Sequence, residues 1–149
     1  MKIGIASDHR GYELKQKVAK YLIEKGYNII DYGSDSSTVS DYPDYGFLLG
    51  EKIVNQNVDY GIAFCGTGIG ISIACNKVKG VRCAKVDSEM EAKLAVLHNN
   101  ANAIALNSTK DYLEVKKIID IFLQTTFSNE ERHLQRINKI SDYELEKKE

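Results

Sequence analysis

At 149 residues the chain has the length of one domain. Hydrophobic side chains make up 43% and charged ones 28%, the content of an ordinary globular fold with a sizeable core, which excludes disordered and fibrous classes. Twenty basic against twenty-one acidic residues leave a net charge of -1, so no global field draws the chain to nucleic acid or an acidic membrane, and any anion must be caught locally.

Met1-Lys2 leads into an apolar segment at 3–6, far shorter than a signal core or a membrane span, and no later run is long enough either. A soluble, cytoplasmic protein is expected, with 3–6 as its first strand. The first helix carries Leu14, Val18, Tyr21 and Leu22 on one stripe and stops at Gly26. A strand at 27–32 leads to a second helix opened by Pro43, whose missing N–H costs nothing in a first turn, with Tyr45, Leu48, Leu49 and Ile53 on one face. The third strand, 60–65, runs into a glycine loop and a helical pattern at 71–78. Strand 81–86 precedes a helix with Ser88 and Glu91 as a capping box and Met90, Leu94 and Leu97 predicted inward. After a fifth strand at 103–106 comes a helix with Val115, Ile118, Ile119 and Phe122. A second box, Ser128 with Glu131, opens a sixth helix bearing Leu134, Ile137 and Ile140, and the Lys/Glu-rich tail after Leu145 reads as a solvated end. Strands alternating with helices throughout predict an α/β, Rossmann-like three-layer sandwich, a five-stranded parallel sheet with helices on both faces.

In such sheets ligands bind beyond the carboxyl ends of the strands, where strand order reverses. Two loops there carry the chemistry: Ser7-Asp8-His9-Arg10-Gly11 and Cys65-Gly66-Thr67-Gly68-Ile69-Gly70. Three glycines in five residues let backbone amides approach a negative group at a helix start. The spacing departs from the dinucleotide fingerprint, no Gly-Lys-Ser/Thr follows, and the sixth residue after Cys65 is Ile71 rather than the arginine of a phosphatase loop. The plain alternative is a tight turn with no ligand. Cys65 stands where a helix amino end favours a thiolate base or nucleophile. Cys75 and Cys83 read as small buried hydrophobes. Without CxxC spacing, the three cysteines predict free thiols.

His9, His98 and His133 lack metal-ligand spacing, so no metal is expected. His9 beside Asp8 suits phosphate binding or proton transfer, or is an ordinary surface histidine. His98 and Asn99 close the fourth helix at the amino edge of the sheet, far from the other loops. If His98 acts with them, it comes from a second subunit and the site is composite at a twofold interface; otherwise it caps the helix dipole. Arg132 and Arg136, one turn apart, grip one phosphate with forked bonds or are simply solvated. Asp41-Tyr42-Pro43 offers a carboxylate or phenol to a polyol, or Asp41 only caps the second helix.

Taken together, Asp8-His9-Arg10-Gly11, Asp41-Tyr42-Pro43, Cys65-Gly66-Thr67-Gly68-Ile69-Gly70-Ile71-Ser72, Asn76-Lys77, His98-Asn99 and Arg132-His133-x-x-Arg136 resemble the type B ribose-5-phosphate isomerases, a family that includes subunits of galactose-6-phosphate isomerase. The resemblance spans residues 1 to about 140. It implies a single isomerase domain over 1–149, whose C-terminal helix, about 129–144, packs on a partner subunit. It also implies a metal-free, cofactor-free interconversion of ribose 5-phosphate and ribulose 5-phosphate through a cis-enediolate, in a homodimer or dimer of dimers. Neither nucleic acid nor membrane is a partner. By resemblance, Cys65 removes the C2 proton, while Thr67 and the amides of Gly66, Gly68, Ile69 and Gly70 support the enediolate oxygen. His98 opens the furanose ring, Asp8 and Asn99 bind sugar hydroxyls or the ring oxygen, and His9, Arg132 and Arg136 take the phosphate. One branch of the family places a glutamate base after the last loop glycine; Ile71 stands there, leaving Cys65 as the base. Many members carry an arginine near Thr109, where this chain has Thr109-Lys110, so its phosphate clamp differs. Two alternatives stay open: an isomerase of a hexose 6-phosphate (allose or galactose 6-phosphate), and a phosphate- or nucleotide-sensing module without turnover.

Overall fold

The computed structural model describes residues 1–146. Its elements are β1 (Lys2–Ser7), α1 (Tyr12–Glu24), β2 (Asn28–Asp31), α2 (Tyr42–Val54), β3 (Tyr60–Cys65), α3 (Ile69–Asn76), β4 (Cys83–Lys85), α4 (Glu89–Asn99), β5 (Ala103–Asn107), α5 (Tyr112–Gln124) and α6 (Glu131–Glu146). All five strands are parallel, in the order β2-β1-β3-β5-β4. The expected α/β sandwich is therefore present, with one feature its periodicity does not contain: β5 inserts between β3 and the edge strand β4.

Side-chain size alternates with the pleat. Ile3, Ile5, Ile62, Phe64, Ile104 and Leu106 fill the face covered by α1, α4 and α5. Ala6, Ala63, Ala103 and Ala105 form the other face, under α2 and α3. This division follows from right-handed crossovers: α1 and α4 link strands in one lateral direction, α2 and α3 in the other, so the two pairs fall on opposite faces. Small residues also bring α2 against α3, where a Cβ on Gly46 would stand 2.7 Å from the Cβ of Ala74. Pro43 lies in the first turn of α2 as expected, and Asp41 is its N-cap by position, without a side-chain capping bond. Gly26, at φ 96°, stops α1.

Several expectations are corrected. The buried stripe of α4 is Ala92, Ala95 and Val96. Met90 and Leu94 are exposed and Leu97 is half-buried; small residues let this helix lie close to its neighbours, and the larger ones ride outside. Half of the Ser88 box forms, with Ser88 Oγ accepting the Glu91 N–H at 3.1 Å, but the Glu91 carboxylate takes the N–H of Asp87. The Ser128–Glu131 box does not form. Ser128 Oγ accepts from the Glu130 N–H at 3.3 Å, and a positive φ at Asn129 separates it from the helix. Strand β4 is shorter than predicted, because only one neighbour pairs with it. On α6, Ile137 is buried while Leu134 and Ile140 remain exposed. From residue 147 the predicted solvated tail lies outside the described residues. Among those residues, no helix is long and apolar enough to cross a membrane.

Candidate active site

Strand order reverses at β1 and β3: the connection from β1 leads to one edge of the sheet and that from β3 toward the other, so a crevice opens beyond their carboxyl ends. Both sequence-predicted loops end there, and Asp8, His9, Cys65, Gly66, Thr67 and Gly70 line one cavity of about 610 Å³. Ser40, Asp41 and Tyr42 form part of its wall.

Cys65 is the last residue of β3, registered beside Asn107 of β5. Its side chain is nearly buried yet reaches the cavity. The Gly68 N–H donates to Cys65 Sγ at 3.1 Å, so a backbone dipole points at the sulfur. Gly68 caps α3 at φ 80°, and a Cβ there would lie 2.9 Å from the Leu106 carbonyl carbon. Glycine is thus required for the turn that aims this amide. Thr67 Oγ1 accepts the Ile69 N–H at 3.1 Å, which leaves its own hydroxyl proton for a ligand. Gly68 and Ile69 shape the loop without lining the cavity.

Asp8 is nearly buried, and its Oδ1 accepts the N–H groups of Arg10 and Gly11 at 2.9 and 3.1 Å, which locks the turn after β1. His9 pairs with Ser40 rather than with Asp8. Its N–H donates to Ser40 Oγ at 3.1 Å, and its Nδ1 lies 3.1 Å from the Ser40 carbonyl oxygen and 3.2 Å from the Ser40 nitrogen. These contacts use Nδ1, so Nε2 is the nitrogen left for a ligand. The loop that leads to Ser40 is anchored at its start by Lys15, which has no exposed surface. Its Nζ donates to Asp31 Oδ1 at 2.6 Å and to the Ser34 carbonyl at 2.8 Å. Lys15, Ser40 and Arg10 went unassigned in the sequence. The motif around His9 could have flagged Arg10, but contacts spanning 16 and 31 residues leave no local signal for the other two.

His98, Asn99, Arg132 and Arg136 do not line this cavity. As expected, α4 runs back to the amino edge of the sheet before β5, which carries His98 and Asn99 away from Cys65. Arg82 caps that helix end: its Nε donates to the carbonyls of Asn99 and Asn100, each at 3.1 Å. Burial lowers the Arg82 pKa from its ordinary value, with Glu144 pulling the other way. The His98 ring stacks on His133 of α6, with centroids 4.2 Å apart and planes 15° from parallel. His133 is buried, and its Nε2 sits 3.3 Å from Glu130 Oε2 without hydrogen-bond geometry. Burial, then the charges of Arg132 and His98, hold its pKa below the usual histidine value, against the pull of Glu130. Arg132 and Arg136 are exposed on the same helix. All three thiols are free. A hydrogen bond with Cys75, together with burial, raises the Cys83 pKa far above the ordinary thiol value, so this pair behaves as packing.

The chain matches the Ribose/Galactose Isomerase family over residues 3–140. It is 38% identical to ribose-5-phosphate isomerase B of Escherichia coli, over 96% of each sequence. Among solved structures, ribose-5-phosphate isomerase B of Clostridium thermocellum superposes with a TM-score of 0.96 at 40% identity, covering 99% of this chain and 100% of that one. The Mycoplasma genitalium ribose-5-phosphate isomerase B, solved with bound ribulose 5-phosphate, superposes with a TM-score of 0.91 at 44% identity, over 97% of each chain. A match over nearly the whole length, with the motif loops meeting in one crevice, makes this chain a member of the ribose/galactose isomerase family.

Proposed function

We propose that the protein is an aldose–ketose isomerase that interconverts ribose 5-phosphate and ribulose 5-phosphate through a cis-enediolate. The observation that carries the reading is Cys65 Sγ, open to the cavity and hydrogen-bonded by the Gly68 amide, with Thr67 on the same wall. Moving a proton between C2 and C1 needs a base, an acid and support for charge on oxygen. In this reading the Cys65 thiolate takes the C2 proton, leaving an enediolate, and returns it to C1. The Thr67 hydroxyl and the loop amides of Gly66 and Gly70 steady the oxygen that carries the charge, while the amides of Gly68 and Ile69 are spent on Cys65 Sγ and Thr67 Oγ1 and shape the loop. Asp8 receives sugar hydroxyls, and His9 meets the phosphate.

The remaining roles belong to a second copy. Ring opening by His98 of the partner subunit, hydroxyl contacts from Asn99 of the partner subunit, and phosphate binding by the partner's Arg132 and the partner's Arg136 complete the site in a homodimer or dimer of dimers. Two features support this: the sheet separates α4's end from Cys65 within one chain, and Leu134 and Ile140 leave an apolar stripe on α6 uncovered. That stripe is where the C-terminal helix packs on its partner. A phosphorylated sugar does not cross membranes unaided, so the enzyme works in the cytoplasm with its substrate.

The alternative is a hexose 6-phosphate, since the family also covers galactose isomerases. Assays of the purified protein on ribose 5-phosphate, allose 6-phosphate and galactose 6-phosphate separate the two, with the highest kcat/KM expected on ribose 5-phosphate. Preference for a hexose phosphate transfers the assignment. Absence of turnover, together with no exchange of substrate protons into deuterated water, leaves only a binding module.

A further inference from the structure

The phosphosugar reading gives the substrate's dianionic end only one partner from the chain that supplies Cys65. That partner is His9, a single imidazole whose Nδ1 is already taken up by Ser40. The same cavity is lined by Asp8, Asp41 and Asp44, three carboxylates against which a phosphate needs a cationic partner. The loop after β5 supplies none. Thr109 spends its N–H and its hydroxyl on Asn107 Oδ1, at 2.8 and 2.6 Å, and Lys110 pairs with Glu114 at 3.3 Å beside a different cavity.

Arg10 is the one lysine or arginine lining the active-site cavity among the described residues. Its backbone is fixed by the bond from its N–H to Asp8 Oδ1. Its guanidinium packs against Gly66: a Cβ there would stand 2.8 Å from Arg10 Cζ and 2.9 Å from Nε, so the bare loop is what admits the group. Despite three aspartates in the same wall, no described carboxylate lies within the 4.0 Å of an ion pair with it. A guanidinium fork of donors, lining the same cavity as His9 and without an ion-pair partner among the described residues, is the chemistry that recognises a phosphate.

We infer that Arg10, with His9, binds the substrate's phosphate from the same subunit that supplies Cys65, as an addition to the arginines of α6. The inference rests on the phosphosugar reading of this cavity. A contact made equally in the bound substrate and the transition state is seen in KM rather than in kcat.

The test is calorimetric titration of inorganic phosphate at fixed ionic strength into the wild-type protein, Arg10→Gln, Arg10→Lys and Lys110→Gln, with steady-state kinetics on ribose 5-phosphate alongside. Arg10→Gln should bind inorganic phosphate about tenfold more weakly, with KM rising to match, because a charge-assisted bond is lost. Arg10→Lys should recover part of the loss, and Lys110→Gln should behave as wild type. Unchanged phosphate affinity in Arg10→Gln overturns the proposal, as does an equal loss in Lys110→Gln, which marks a nonspecific charge effect. The titration reads Arg10 whether or not turnover occurs. A wild-type protein that binds phosphate through Arg10 but isomerises no sugar phosphate therefore refutes the isomerase reading alone.

Discussion

Cys65 shows how much one atom's surroundings decide. Three thiols share a chain, yet only this one stands at a strand end with an amide aimed at its sulfur and a cavity in front of it. Cys75 is sealed in the core and Cys83 is hydrogen-bonded to it. If Cys65 is the base, Cys65→Ala should lower kcat by about a thousandfold or more while substrate affinity survives, since the loss is confined to proton transfer and its positioning. Steady-state kinetics and direct ribose 5-phosphate binding check this together, and near-normal turnover in the variant removes Cys65 from the mechanism. Lys15 teaches the opposite lesson. A fully buried cation outside the cavity lining anchors, through Asp31 and Ser34, the start of the loop that leads to Ser40, the partner of His9.

Among the elements, α6 is the one whose docking is most exposed to conditions. Its inward residues are His133 and Ile137, and its ring contact with α4 is the stack of His133 on His98. The groups facing His133 are His98 from α4 and Glu130, Arg132 and Arg136 from its own segment. Because folding lowers the His133 pKa, the unfolded chain takes up this proton first as pH falls. The contribution is complete above the unfolded value of about 6.5 and is lost as pH drops through the lower folded value. Melting temperatures measured from about pH 7.5 to about pH 5 should therefore fall more steeply for wild type than for His133→Phe, which keeps the stack and cannot titrate. Parallel pH profiles for the two proteins contradict this role. The elements also show what periodicity misses: Ala92, Ala95 and Val96 on α4 outcompete Met90 and Leu94 for the interior, because close approach favours the smaller residues there.

For the whole molecule, the question is whether one chain holds a complete site. Cys65 and His98 belong to opposite edges of one sheet, so a site that uses both is shared between subunits. Cys65→Ala and His98→Ala should each be impaired alone. Mixed and allowed to exchange subunits, they should regain activity, since half of randomly formed dimers are mixed and each holds one site with both groups intact, about a quarter of all sites. Recovery is read by assay after subunit exchange is verified by mass. Exchange without recovery places every catalytic group in one chain.

The α/β class, the positions of most elements and the two site loops are legible in local patterns along the chain, because strand and helix periods, Pro43, Gly26 and the glycine run act within a few residues of themselves. Placing His98 on the far edge also needed only the direction of a strand-helix-strand unit. Tertiary structure alone decided that β5 lies between β3 and β4, that His9 rests on Ser40 and that Arg10 packs on Gly66. These contacts join segments distant in the chain, and their free energy depends on which surfaces meet, a quantity no local pattern contains.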